Sequence, residues 1–377
     1  MNIKRTIYKT IMDRMNSSKK AILIYGARQV GKTTLVEKIL KEFSEKKILS
    51  INADQRKYLD ILSSRDLDKI SSLIHGYDIV FIDEAQRIPE IGLNSKLIVD
   101  SYPDLQLILT GSSSLDLAGK TKEPLTGRTW TFRLFPLSFS EIATLYNPFD
   151  LRNKIDSLLI YGSYPEVFTF NNHQDKQALL TEITESYLYK DILELLNLKN
   201  SHKIHDLLRL LAYQIGSEVS IHEISTSLSL NQETVERYIH LLEESFVIFK
   251  LRGFSKNPRK EISKRDKIFF HDNGIRNAII GDFKQLQERN DAGQLWENYI
   301  ISERMKKMKY QGTPASFYFW RTYTGTELDL VEEFESKLTG YEIKFTKARK
   351  KAPQAWAQDY KGDYFYINKD NFMEFIG

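Results

Sequence analysis

From about residue 21 to residue 145, short apolar runs alternate with stretches of helical periodicity. Runs at 21–25, 48–51, 79–83, 105–110 and 131–134 are almost continuously apolar, and each is followed by a mixed segment long enough for a helix. Strands of this kind, separated by helices, predict a parallel sheet buried on both faces. Ahead of them, Ile7, Ile11 and Met15 fall on one stripe of an amphipathic helix within residues 1–18.

The pattern changes after residue 150. Residues 151–200 read as helical with one break at 162–165. Helices follow at 204–215, 221–228 and 232–244, then two short strands at 246–251 and 267–270 with a polar loop between them. Three helices and a hairpin are the order of a winged helix-turn-helix. A longer helix at 294–309 and strands at 316–320, 327–332 and 341–345 return the chain to α/β. The expected division is a P-loop domain over 1–150, a helical linker over 151–200, a winged-helix module over 201–275 and a small α/β domain over 276–377.

Composition adds exclusions. The 377 residues hold no cysteine, which removes disulfides, thiolate metal sites and cysteine nucleophiles and fits a reducing, cytoplasmic setting. The first ten residues lack the apolar run of a signal peptide, and no run reaches the length of a membrane span, so no membrane role is expected. A net charge of +4 confines any nucleic-acid contact to local basic patches.

The first chemistry lies after the first strand. Gly26, Ala27, Arg28, Gln29, Val30, Gly31, Lys32 and Thr33 match the P-loop pattern at every required position, between a strand and a helix that continues from Thr34. Glycines let backbone N–H groups turn inward on phosphate oxygens, and the helix start adds its dipole. Lys32 is the cation for the β- and γ-phosphates and Thr33 a magnesium ligand. The apolar strand 79–83 delivers Asp83 to the same magnesium and Glu84 to the attacking water, as general base. Thr110 and Ser112, at the end of the next apolar run, are alternatives for a hydrogen bond to the γ-phosphate or the water. Arg128 is a candidate for transition-state charge, in cis or in trans, or else a surface arginine holding a loop. ATP and Mg²⁺ are the cofactors this set implies.

These motifs, with Ala85-Gln86 after the acidic pair and the segment 135–141 (FPLSFSE), resemble a prokaryotic family of AAA-type ATPases with a C-terminal domain of unknown function. The resemblance implies an additional-strand P-loop fold, with Lys32, Thr33, Asp83 and Glu84 in the roles just described.

Two further patterns carry weaker signals. On the helix 232–244, Gln232, Glu233, Glu236, Arg237 and His240 are expected to face outward. The loop holding Lys256, Arg259, Lys260, Lys264, Arg265 and Lys267 is basic, as a DNA-contacting wing is. The acidic pair on the same helix suits a protein-contact module equally, so DNA and a protein partner, including a second copy of the chain, both stay open. In the last domain, Glu327 and Asp329 share one strand face, and Glu342 and Lys344 another. If the faces coincide, Asp329, Glu342 and Lys344 resemble the acidic and lysine core of restriction-endonuclease-like folds, with Glu297 as an added helical carboxylate. The same residues also suit a hairpin with one solvated charged face. The basic run 344–351 beside it fits a phosphate-rich partner or a solvated face.

Overall fold

A computed structural model describes residues 3–112, 125–188, 201–255, 265–346 and 351–377. The chain divides into two compact units, one of residues 4–135 with 244–246, the other holding the rest.

The first unit opens with α1 (Ile7–Ser17), whose Ile7, Ile11 and Met15 are buried as the stripe requires. Next come β1 (Ala21–Tyr25), α2 (Lys32–Lys41), β2 (Ile48–Asn52), α3 (Arg56–Leu62), α4 (Leu67–Ile74), β3 (Ile79–Asp83), α5 (Ile91–Ser101), β4 (Gln106–Gly111) and β5 (Thr129–Arg133). All the pairings are parallel, in the order β2-β3-β4-β1-β5. β1 and β4 are buried at every residue, so their unbroken apolar runs follow from burial on both faces. β4 lies between β1 and β3, which brings its C-terminal end between the P-loop and the acidic pair.

The second unit contains α6 (Phe139–Ala143), α7 (Pro148–Tyr161), α8 (His173–Glu182), α9 (Ser201–Tyr213), α10 (Ile221–Leu228) and α11 (Gln232–Glu244, whose last residue clusters with the first unit). β6 (Ile248–Gly253), β7 (Lys267–Phe270), α12 (Asn273–Ile280), α13 (Ala292–Gln311), β8 (Ser316–Arg321), β9 (Glu327–Phe334), β10 (Lys337–Ile343), α14 (Gln354–Asp359), β11 (Asp363–Ile367) and α15 (Phe372–Ile376) complete it. The helical break expected at 162–165 is a real stop: Gly162, with φ +67°, ends α7, and a 3-10 turn begins at Pro165.

The strands of this unit form one mixed sheet in the order β11-β10-β9-β8-β6-β7. β6 and β7 are the antiparallel pair expected after three helices, and β6 also pairs in parallel with β8. The boundary expected at 275 therefore falls inside a continuous sheet, and the one expected at 150 falls inside α7. Periodicity reveals elements and not which strands share hydrogen bonds.

A buried polar network holds α6, α7, α12 and α13 together. Asp272 accepts from the Ser163 amide at 2.7 Å and from the Ile275 amide at 3.1 Å. Glu303 accepts from the Phe139 amide at 2.6 Å and pairs with Lys306 at 2.7 Å. Burial pushes both carboxyls up, against the pull of the Lys306 ammonium. Among the described residues, no helix is long and apolar enough to cross a membrane.

Candidate functional site

The P-loop occupies the bend between β1 and α2. Gly26 has no room for a side chain, since a Cβ there would stand 2.1 Å from the Leu134 carbonyl oxygen. Gly31 caps α2 at φ +92°, a left-handed conformation that strains any residue with a Cβ. The loop thus wraps tightly, with the N-terminus of α2 at its rim.

Lys32 is buried, and its Nζ donates to the carbonyls of Gly26 and Ala27, both at 2.9 Å. These bonds fold the ammonium back across its own loop. Thr33 Oγ1 donates to Asp83 Oδ2 at 2.9 Å, which joins the start of α2 to the end of β3. Thr110, fully buried on β4, donates to the other Asp83 oxygen, and its hydroxyl accepts from the Glu84 amide at 3.4 Å. Asp83 is therefore clamped through both oxygens. Thr110 acts on the acidic pair, and Ser112 lies buried just beyond β4.

Glu84 adopts a left-handed conformation (φ +53°, ψ +40°), which breaks the direction of β3 immediately after Asp83. Its Oε2 accepts from Gln86 Nε2 at 2.5 Å. The Gln86 Oε1 atom is buried without a hydrogen-bond partner, as is Oε1 of the P-loop Gln29, itself at φ +60°. Both amides come from the motifs that carry the phosphate chemistry.

Arg5 was not anticipated. It stands just before α1, yet its guanidinium donates to the Val30 carbonyl and to the Phe135 carbonyl, both at 2.6 Å. It thereby ties the P-loop to the segment after β5. No local sequence signal marks it, because its partners lie 25 and 130 residues away.

Arg128 does not join this cluster within its own unit. It precedes β5, and its carbonyl accepts from the Ala21 amide at the start of β1. In a parallel sheet that is the edge opposite the P-loop, one strand length away or roughly 15 Å. Its Nε donates to Asp100 Oδ1 at 2.6 Å, which holds the Asp100 carboxyl below its usual range. The guanidinium serves an exposed loop contact.

A second ionic cluster lies in the other unit. Asp329 on β9 accepts from the Ile343 amide at 2.7 Å and from Lys344 Nζ at 2.9 Å. Glu297 on α13 is largely buried beside Asp329 and Glu327, and that environment pushes its carboxyl up to about 8. Glu342 accepts from the Tyr364 hydroxyl on β11 at 2.6 Å and acts on the same Lys344 ammonium as Asp329. Lys267, read from the sequence as part of a basic wing, is instead 5% exposed at the head of β7. Its Nζ pairs with Glu327 and stands 3.6 Å from Glu297 Oε1. A usable signal was present, because a lysine opening the apolar run Lys267–Phe270 needs a buried partner. Among the described residues, no three of His, Asp and Glu converge as a metal-binding group.

On α11, Val235, Tyr238, Ile239 and Leu242 are buried. Gln232, Glu233, Glu236, Arg237 and His240 are exposed, as expected. Lys256, Arg259, Lys260 and Lys264 of the basic loop lie outside the described residues, as do 347–350 of the basic run and Ser113.

Comparison with known proteins follows this division. Residues 18–143 match the model of an AAA domain. Residues 152–286 and 292–367 match two domains of unknown function, DUF8612 and DUF4143. The chain is 28% identical over 328 residues to an uncharacterized protein of Mycobacterium tuberculosis, covering 86% of this chain and 70% of that one. It is 24% identical over 307 residues to an uncharacterized protein of Methanocaldococcus jannaschii, covering 76% and 67%. Among solved structures, AMPPCP-bound DnaA from Aquifex aeolicus is 17% identical, covering 63% of this chain and 86% of that one. Its TM-score of 0.29 is too low to carry functional weight. The family match at 18–143, the parallel sheet with β4 between β1 and β3, and the P-loop at its carboxyl edge agree: the first unit has the P-loop NTPase fold, and residues 18–143 of the chain match an AAA domain.

Proposed function

We propose that this protein binds ATP with magnesium at the P-loop and hydrolyses it, using Glu84 as the general base. The observation that carries the reading is the Thr33–Asp83 pair at 2.9 Å, two hard oxygen ligands held together at the mouth of a glycine-lined loop. The residues suit the cofactor. Gly26 and Gly31 leave the loop backbone bare, the N-terminus of α2 adds the positive end of its dipole, and Lys32 brings a cation. When bound, ATP·Mg²⁺ supplies a phosphoryl group whose charge is already partly neutralised.

The remaining work falls to the chain. Lys32 would exchange its bonds to the Gly26 and Ala27 carbonyls for phosphate oxygens. Thr33 and Asp83 would hold the ion, with Thr110 fixing the Asp83 carboxylate. Glu84, presented by its left-handed backbone and steadied by Gln86, would take the proton from water.

For the output, a nucleotide-driven switch or motor acting with nucleic acid is favoured by the helix order of α9, α10 and α11 followed by the β6–β7 pair, which is that of a winged helix-turn-helix. A protein partner is the second reading. It gains from Glu233 and Glu236 on the exposed face of α11 and from the burial of Lys267, which subtracts one charge from the wing. ATPase rates with and without duplex DNA, single-stranded DNA and RNA at low salt separate them. Stimulation that fades as salt rises supports the nucleic-acid reading, and a flat response supports a protein partner.

A further inference from the structure

The acidic cluster of the second unit has the outline of a cation site, but its charges are already matched. Glu327, Asp329 and Glu342 supply three carboxylates, and the Glu297 carboxyl, pushed up to about 8, stands beside them. Lys267 pairs with Glu327 and lies 3.6 Å from Glu297, Lys344 pairs with Asp329 at 2.9 Å, and Arg321 Nε lies 3.8 Å from Glu327. The lysines differ in kind. Lys344 is 41% exposed, and its stem can swing out into water. The Lys267 side chain is buried, comes from a different strand, and lies 5.3 Å from the centroid of the Phe319 ring. Its ammonium is enclosed by carboxylates and an aromatic face.

We propose that Lys267 is the resident cation of this site, its ammonium filling the space between Glu297 and Glu327 that a divalent ion would otherwise occupy. Magnesium and manganese need several oxygen ligands close in, and they bind poorly beside a fixed positive charge, here paired with Glu327 and 3.6 Å from Glu297 Oε1. One Asp329 oxygen is further committed to the Ile343 amide and to Lys344. The cluster thus joins β7 to α13 and β9 as an ionic lock with Lys267 in the cation's place. The cluster shares no residue with the P-loop, and its lysine and carboxylates hold whether or not ATP is hydrolysed.

Manganese binding to the full-length, nucleotide-free chain tests this, with Asp83→Asn in the background to remove the P-loop ligand. That protein is expected to show no Mn²⁺ binding attributable to the cluster. Adding Lys267→Met leaves the carboxylates without their cation. It should create one Mn²⁺ site and a Mn²⁺-dependent rise in melting temperature, both abolished by Asp329→Asn. A folded Lys267→Met protein that gains no Mn²⁺ site overturns the proposal. So does Mn²⁺ binding by the protein with Lys267 intact that Asp329→Asn removes, and this second measurement decides the matter if Lys267→Met fails to fold.

Discussion

Gln86 Nε2 holds Glu84 Oε2 at 2.5 Å, two residues along the chain, while the other amide atom of Gln86 is buried without a partner. The amide fixes one carboxylate oxygen and leaves an acceptor beside it. Gln86 is thus a positioning residue for the proposed base. Gln86→Ala should lower kcat while leaving the dissociation constant for ATP nearly unchanged. Steady-state kinetics with equilibrium nucleotide binding checks this, and a matching loss in both quantities would mean that Gln86 serves the loop and not Glu84.

Removing the base itself should act more strongly. Glu84→Gln keeps the shape of the side chain and loses its basicity, so turnover should fall by about 10²–10⁴-fold with ATP binding retained. Single-turnover hydrolysis is the measurement. An unchanged rate would assign proton removal to another group.

Arg5 predicts an effect from a residue outside every motif. Its guanidinium makes two 2.6 Å bonds, to the Val30 and Phe135 carbonyls. Hydrogen bonds from a charged donor are worth about 1.5–3 kcal/mol each where they are shielded from water, and less here because the contact is only part-buried. Arg5→Ala should lower the melting temperature and weaken ATP binding, with Arg5→Lys restoring part of each. Unchanged nucleotide affinity would limit Arg5 to the fold.

The raised carboxyl of Glu297 has a pH signature. Its pKa is pushed up to about 8 from an ordinary 4.5, so the folded state holds the proton more tightly than the unfolded chain. That contribution is complete below about pH 4.5 and is lost as the pH climbs through 8. Glu297→Gln cannot ionise, so its melting temperature should decline less than that of the unmodified protein between roughly pH 5 and pH 9. Parallel profiles would contradict the assignment.

The parts of this account that were legible beforehand share one property: their signals are local. β1, the P-loop and α2 are contiguous, so spacing alone predicts Lys32 and Thr33. Asp83 and Glu84 end an apolar run, and a buried strand can deliver them only at its carboxyl edge. Arg128 was in principle legible as well, because a residue just before a parallel strand belongs at the opposite edge. That position matches the alternative of a surface arginine and leaves it no role in cis at the P-loop. The partners of Lys267 and of Arg5 were hidden for a different reason: they lie 60 and 130 residues away, and only the closed sheet or the returning chain brings them together. The continuous sheet in the second unit was hidden likewise, since β6 pairs with a strand more than 60 residues further on.

The central claim is that the cradle of Lys32, Thr33 and Asp83 binds ATP with magnesium. The most direct test is calorimetric titration of ATP in the presence and absence of Mg²⁺, comparing the unmodified protein with Lys32→Ala. The unmodified protein should bind one ATP in a magnesium-dependent manner. The variant should lose roughly ten- to a hundredfold in affinity, the worth of a charged hydrogen bond to phosphate. Equal affinity in the two proteins, or binding indifferent to magnesium, would contradict the account.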